Sequence, residues 1–159
     1  MSVVIREAEL ARDKPMLLRF LAGSNAFESQ WESDRRLDTA YPEEFLADRV
    51  ARARAHRGRV FVAEESAAVV GWAMCSVEQH EIFVKADMRD YGYIHEMYVD
   101  ERARGRHIGR KLLKACEDHF RALGLKSVLI TALSPNVRAL NAYRAAGYAD
   151  YAVNLRKLL

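Results

Sequence analysis

The run Arg102-Ala103-Arg104-Gly105-Arg106-His107-Ile108-Gly109-Arg110-Lys111-Leu112-Leu113 follows a β-rich stretch and opens a long amphipathic one. A strand that enters a glycine-containing loop and leaves it as a helix lets successive backbone N–H groups converge on one point. The first amides of that helix lack partners and carry partial positive charge, so the chemistry on offer is anion binding. Arg102, Arg104, Arg106, Arg110 and Lys111 add Coulomb attraction, which suits a pyrophosphate better than a single carboxylate. The competing reading is a solvated basic turn in which Gly105 supplies a positive φ. Spacing excludes two other phosphate binders. A P-loop needs glycines five apart followed by Lys and Ser or Thr, whereas Gly105 and Gly109 are four apart and Arg110 follows; no GxGxxG occurs either.

Other reactive side chains point elsewhere or nowhere. His95-Glu96 could open an HExxH site, but Val99 stands where the second His belongs, so no zinc or other metal is expected. Cys75 lies in an apolar strand-like run and Cys116 on the apolar stripe of a helix, neither next to an activating His. They read as unpaired, buried small hydrophobes in a reducing compartment rather than as nucleophiles. Arg49, Arg52, Arg54, Arg57 and Arg59 form a basic run that raises a rival function, binding of nucleic acid or of an acidic protein. In a helix they scatter around the circumference, alternate with Ala and lack interleaved aromatics, which describes a solvated face; no nucleic acid partner is expected.

The elements that must position these residues follow from periodicity and punctuation. The 159 residues suit one domain, 1–159, with half of them hydrophobic, 30% charged and a net charge of +3 from 25 basic and 22 acidic side chains. Met1 to Arg6 lacks a signal-peptide pattern and no apolar run approaches the ~20 residues that span a bilayer, so the expected location is the cytoplasm. Val3-Val4-Ile5-Arg6 reads as a strand, and the segment through Pro15 to Leu21 as a helix ending near Gly23. An acidic loop leads to a second helix with Pro42 at its first position, stopping near Gly58. Val60–Ala63 and Val69–Cys75 make an antiparallel hairpin, and Tyr93–Val99 a strand whose alternation sends His95 and Glu96 to opposite faces. Ile108, Leu112, Cys116, Phe120 and Leu123 make one helical stripe capped by Gly124. A strand at 127–132 completes a parallel crossover, Ser134-Pro135 opens a helix that Gly147 closes, and Tyr148 to Leu155 is a final strand or hairpin. The sum is an α/β sandwich of about three layers on a mixed sheet.

Three segments in this order give the chain a resemblance to the GNAT superfamily of acetyl-CoA-dependent N-acetyltransferases over nearly its whole length. They are Ile94-His95-Glu96-Met97-Tyr98-Val99, Arg104-Gly105-Arg106-His107-Ile108-Gly109, and Asn136-Val137-Arg138-Ala139-Leu140-Asn141-Ala142-Tyr143-Arg144-Ala145-Ala146-Gly147-Tyr148. The family's pyrophosphate loop reads Gln or Arg, two residues, Gly, one residue, then Gly or Ala. Arg104 and Gly109 fit it, whereas His107 replaces the first of those glycines. The resemblance implies a mostly antiparallel central sheet with a V-shaped split between two parallel strands, flanked by about four helices, with acetyl-CoA in the split as acetyl donor. It implies a β-bulge in the strand ending at Val99, main-chain groups of Met97, Tyr98 and Val99 on the pantetheine, and Arg104, Gly105, Arg106, His107, Ile108, Gly109 and Arg110 on the pyrophosphate. By the same resemblance Asn136 lies near the pantetheine arm and Tyr143 protonates the departing thiolate.

For the general base the candidates are Glu96, favoured by family habit, and His95 as runner-up. The acceptor pocket of the family forms around the first-helix loop, which brings in Phe27, Glu28 and Trp31; acidic and aromatic groups suit a cationic amine, on a small molecule or a peptide. Direct attack in a ternary complex is then the expected route, and homodimer formation accompanies the resemblance. A second reading within the same fold is a regulatory module that binds acetyl-CoA without turnover.

Overall fold

The computed structural model of the chain describes residues 2–159, in which the elements run β1 (Val4–Glu7), α1 (Leu10–Glu28), α2 (Tyr41–Ala55), β2 (Arg59–Glu65), β3 (Ala68–Gln79), β4 (Asp90–Val99), α3 (Ile108–Ala122), β5 (Val128–Ile130) and α4 (Val137–Ala145). The five strands form one sheet in the order β1-β2-β3-β4-β5, antiparallel throughout except for the parallel pair β4–β5. Ser66 and Ala67 close the β2–β3 hairpin with φ of 49° and 63°, the left-handed pair that matches a two-residue turn to the strand twist. The β4–β5 ladder holds only from Gly92–Val128 to Ile94–Ile130, although β4 continues to Val99. Beyond Ile94 the two strands share no bonds, and this opens the V in the sheet.

One face of the sheet is covered by α1 and α2. Leu17, Phe20, Leu21, Leu46, Val62, Trp72 and Met74 pack there. The other face carries α3, whose stripe of Ile108, Leu112, Cys116 and Phe120 meets Ala73, Cys75 and Ile94, with Tyr143 and Ala146 of α4 laid against the same cluster. Fully burying each such Leu, Ile or Phe contributes roughly 1.5–3 kcal/mol. The start of α1 is pinned by a buried carboxylate: Asp13 receives both Arg6 nitrogens at 2.7 and 2.8 Å and the Glu9 amide at 2.8 Å, and Arg6 also reaches Glu64 of β2. The Arg6 guanidinium holds the Asp13 carboxyl below the usual carboxylate range.

Three expectations need correction. The first helix does not stop at Gly23 but runs five residues further, to Glu28; Gly23 lets the Tyr98 side chain approach closely, since a Cβ there would lie 3.3 Å from its hydroxyl. The last helix is capped by Asn136, whose Oδ1 accepts from the Ala139 amide at 3.2 Å, and not by Ser134. No final strand forms. Residues 149–159 are exposed, with Arg144 bonded to Asp150 at 2.9 Å and Arg156 to Asp34 at 3.2 Å, and their alternating Tyr151, Val153 and Leu155 find no ladder partner among the described residues. Among those residues no helix is long and apolar enough to cross a membrane.

Candidate active site

The decisive local feature is a one-residue irregularity in β4. Met74 of β3 pairs with Glu96 and Cys75 with Ile94, so His95 is the extra residue of a β-bulge. Met74 belongs to the α1/α2 face and Ile94 to the α3 face. Glu96, opposite Met74, therefore projects to the α1/α2 face, which His95 also shares through its bond to Arg49 of α2. Strict alternation would have separated the two side chains; the bulge puts them together.

Two cavities meet at this point. A cleft of about 590 Å³ lies in the V, between β4, β5, the start of α3 and α4. A side cavity of about 360 Å³ lies between the end of α1, residues 34–36, the start of α2 and β4. Ser24, Glu28, His95 and Glu96 line both.

Glu96 makes no hydrogen bond among the described residues. Burial pushes its carboxyl up to about 7, Glu28 pushes in the same direction and Arg49 opposes them. His95 is different. Its Nδ1 lies 3.3 Å from Arg49 and its Nε2 lies 2.7 Å from Ser76 Oγ, which donates to Glu78 at 2.7 Å. A guanidinium can only donate, so Nδ1 accepts and the ring proton sits on Nε2. Burial, helped by Arg49, pushes His95 down to about 4, so the ring is neutral with both nitrogens engaged. It holds the bulge and has no lone pair left for a substrate proton.

The other end of the cleft is made of backbone. Gly105 and His107 both take left-handed conformations, with φ of 75° and 60°, and Lys111 supplies the first α3 amide to find a helical acceptor, His107 O at 3.1 Å. The amides of Ile108, Gly109 and Arg110 are left without helical partners at the cleft wall. His107 occupies a region open to L-residues at about 1–2 kcal/mol, so a side chain at this glycine position is compatible with the turn.

Met97, Tyr98, Val99, Arg104, Gly105, His107, Ile108, Gly109, Arg110, Asn136 and Tyr143 all line the cleft. Arg106 does not; it turns away to form a two-pronged pair with Glu65. Arg104 folds back, donating to Val99 O at 2.9 Å and to Glu101 at 3.1 Å with its guanidinium 5.4 Å from the Tyr98 ring, so it braces the loop from the strand side. The Asn136 carbonyl is spent on its cap, and its amide NH₂ has no hydrogen-bond partner among the described residues. The Tyr143 hydroxyl has no hydrogen-bond partner among the described residues, and burial pushes its phenol up to about 12.

Phe27 and Glu28 sit on the last turn of α1 and line the cleft, whereas Trp31 packs edge-on against Phe27 at 5.0 Å and lines neither cavity. Arg35, Tyr41 and Phe45 of the side cavity escaped sequence reading, as did Arg138 and Thr131 of the cleft. Tyr41 beside Pro42 at the start of a helix was the one signal available for the side cavity. The basic run of α2 and β2 is largely neutralised by ion pairs: Arg49 with Asp48, Arg52 with Glu78, Arg57 with Asp90 and Arg59 with Glu7. It is less a solvated face than a set of ties to neighbouring carboxylates, two of them on β3 and β4.

Comparison with known proteins decides the family. Residues 24–148 match the model of the acetyltransferase (GNAT) family. The chain belongs to that family. It is 34% identical over 121 residues to the IAA acetyltransferase of Azospirillum brasilense, covering 75% of this chain and 73% of that one. The tetramutant BH1408 protein of Bacillus halodurans superposes with a TM-score of 0.84 at 21% identity, covering 98% and 99% of the two chains. AAC(6')-Iy in complex with a bisubstrate analogue, CoA-S-monomethyl-acetylneamine, gives 0.68 at 16% identity over 100% of both. At these identities the two solved structures show the fold.

Membership in the GNAT family makes the protein an acyltransferase with acetyl-CoA as donor. The cleft fits that donor by its own construction. It joins unpartnered amides at a helix start, which suit a diphosphate, to a slot between diverging parallel strands, and the slot leads to Glu96, whose carboxyl burial pushes up to about 7.

Proposed function

We propose that this acetyltransferase moves the acetyl group of acetyl-CoA to a primary amine by direct attack in a ternary complex, with Glu96 as general base and Tyr143 as the acid that protonates the departing thiolate. The observation that carries this reading is the position of Glu96, unpaired at the junction shared by the two cavities. An amine of pKa near 10 is only about one part in a thousand neutral at pH 7, an obstacle of roughly 4 kcal/mol. A base with a pKa near the working pH is the efficient answer to it, and Glu96 is the group tuned that way.

In this scheme the amides of residues 108–110 hold the diphosphate, with the Arg110 side chain on the same wall. Main-chain groups of Met97 and Val99 lie along the donor arm and polarise the thioester carbonyl. Glu96 takes the ammonium proton of the acceptor in the side cavity, and Tyr143 across the cleft gives its proton to sulfur. Cys75 and Cys116 are fully buried and line neither cavity, which supports direct attack over an acetyl-cysteine intermediate. The experiment is thiol release from acetyl-CoA against a library of primary amines, run beside Tyr143→Phe. That variant should keep acetyl-CoA binding and lose roughly tenfold or more in turnover. Unchanged turnover would remove Tyr143 from the chemistry; binding of acetyl-CoA with no acetylation of any amine would favour a regulatory module instead.

A further inference from the structure

The side cavity has a charge pattern that bears on which amine it admits. Its two guanidinium groups are each shared between two carboxylates: Arg35 donates to Glu28 at 2.8 Å and Asp34 at 2.6 Å, and Arg36 to Asp38 at 2.8 Å and Glu44 at 2.7 Å. The second oxygen of Asp34 takes Arg156 at 3.2 Å. Glu28 Oε1 and both oxygens of Glu96 have no hydrogen-bond partner among the described residues. The lining therefore offers spare acceptors for an ammonium, and its two cations are each shared between two carboxylates; Arg49, which reaches Glu96 electrostatically from behind the Phe45 ring, is paired with Asp48.

We propose that the side cavity selects a small primary amine with no carboxylate next to its amino group, and that Glu28 sets this preference. The inference rests on the amine-acetyltransferase reading above and narrows it. An ammonium entering the cavity meets Glu28 and Glu96 and satisfies their free oxygens. A carboxylate carried on the neighbouring carbon meets the same two acids and finds Arg35 held by Glu28 and Asp34. The rings of Tyr41 and Phe45, 5.3 Å apart, give the remainder of the molecule an apolar wall. At about 360 Å³ the cavity has the size of a small-ligand site.

Matched pairs test it: phenethylamine against phenylalanine, and cadaverine against lysine. Steady-state acetylation gives kcat and KM, and calorimetry in the presence of coenzyme A gives binding without turnover. The wild-type protein should favour the decarboxylated member of each pair at least tenfold in kcat/KM and in affinity. Glu28→Gln removes one negative charge and replaces the charge-assisted bond from Arg35 Nε with a neutral, weaker one, so it should narrow that ratio at least fivefold, chiefly through the KM of the amino acid; Glu28→Asp should keep most of the preference. Melting temperature and acetyl-CoA affinity, measured alongside, report any merely structural damage. Equal or better use of the amino acid by the wild-type protein overturns the inference while leaving amine acetylation standing. Selective binding of the decarboxylated amine without turnover does the reverse. Binding of neither member, or an unchanged ratio in a well-folded Glu28→Gln protein, also overturns it.

Discussion

The two ends of the cleft are made of different materials. At the start of α3 the walls are main chain: unpartnered amides of residues 108–110 presented by the left-handed turns at Gly105 and His107. At the junction with the side cavity the groups to which we assign the chemistry are side chains, Glu96, Glu28 and Tyr143, and the properties of Glu96 and Tyr143 come from burial and from neighbouring charges. A site made of backbone is governed by conformation, and a side chain can change without harm if φ and ψ survive. A site made of side chains is governed by register, and one residue of slippage would remove it. The bulge at His95 shows how narrow that margin is, since without it Glu96 would face α3.

The largest expected effect of breaking this contrast is at Glu96. Glu96→Gln keeps the shape and removes the base, so kcat/KM should fall by about 100-fold or more while acetyl-CoA affinity in calorimetry stays the same. Next comes conformation at the other end. Gly105 has a φ of +75° and nothing within 4 Å of where a Cβ would stand, so the cost of Gly105→Val is conformational, because a β-branched residue cannot hold that turn cheaply; acetyl-CoA affinity should weaken by about tenfold, following ~1–2 kcal/mol of strain. His107→Gly changes only a side chain in the same loop and should leave that affinity within about threefold while relieving a similar strain, read as a higher melting temperature. If His107→Gly altered affinity as much as Gly105→Val, the backbone account of this end would be wrong.

The smallest effect is on stability. The folded-state pKa of Glu96 is raised above its unfolded value, so the folded state binds the proton more tightly and stability falls as pH rises through this window, from about 4.5 toward about 7. Glu96→Gln should therefore raise the melting temperature at pH 8 and leave it unchanged near pH 4. Equal shifts at both pH values would contradict a desolvated carboxylate.

The same contrast explains which parts could be read from the residues alone. The loop and helix from Arg104 to Phe120 were legible because amides need only a turn and a start signal, and the apolar stripe of α3 supplies both limits. The Tyr143 segment was legible because Asn136 and Gly147 punctuate a short helix between them. The faces of His95 and Glu96 were not, because a bulge adds one residue without altering composition or apolar pattern. Gly23 was misread as a stop when its role is to admit the Tyr98 ring, a tertiary contact that local punctuation cannot reveal. Tyr151, Val153 and Leu155 carry a strand pattern, but a strand needs a ladder, and β5 offers only three residues. The side cavity drew on Arg35, Tyr41 and Phe45, which converge only after α1 has run past Gly23.

The pH dependence of kcat/KM between pH 5.5 and 8.5, measured with one amine on the wild-type protein and on Glu96→Gln, addresses the junction directly. The wild-type rate should rise through a break near pH 7 as the Glu96 carboxyl ionises, on top of the steady gain from amine deprotonation, and Glu96→Gln should show the steady gain without the break. The same break in both proteins would mean that another group removes the acceptor's proton.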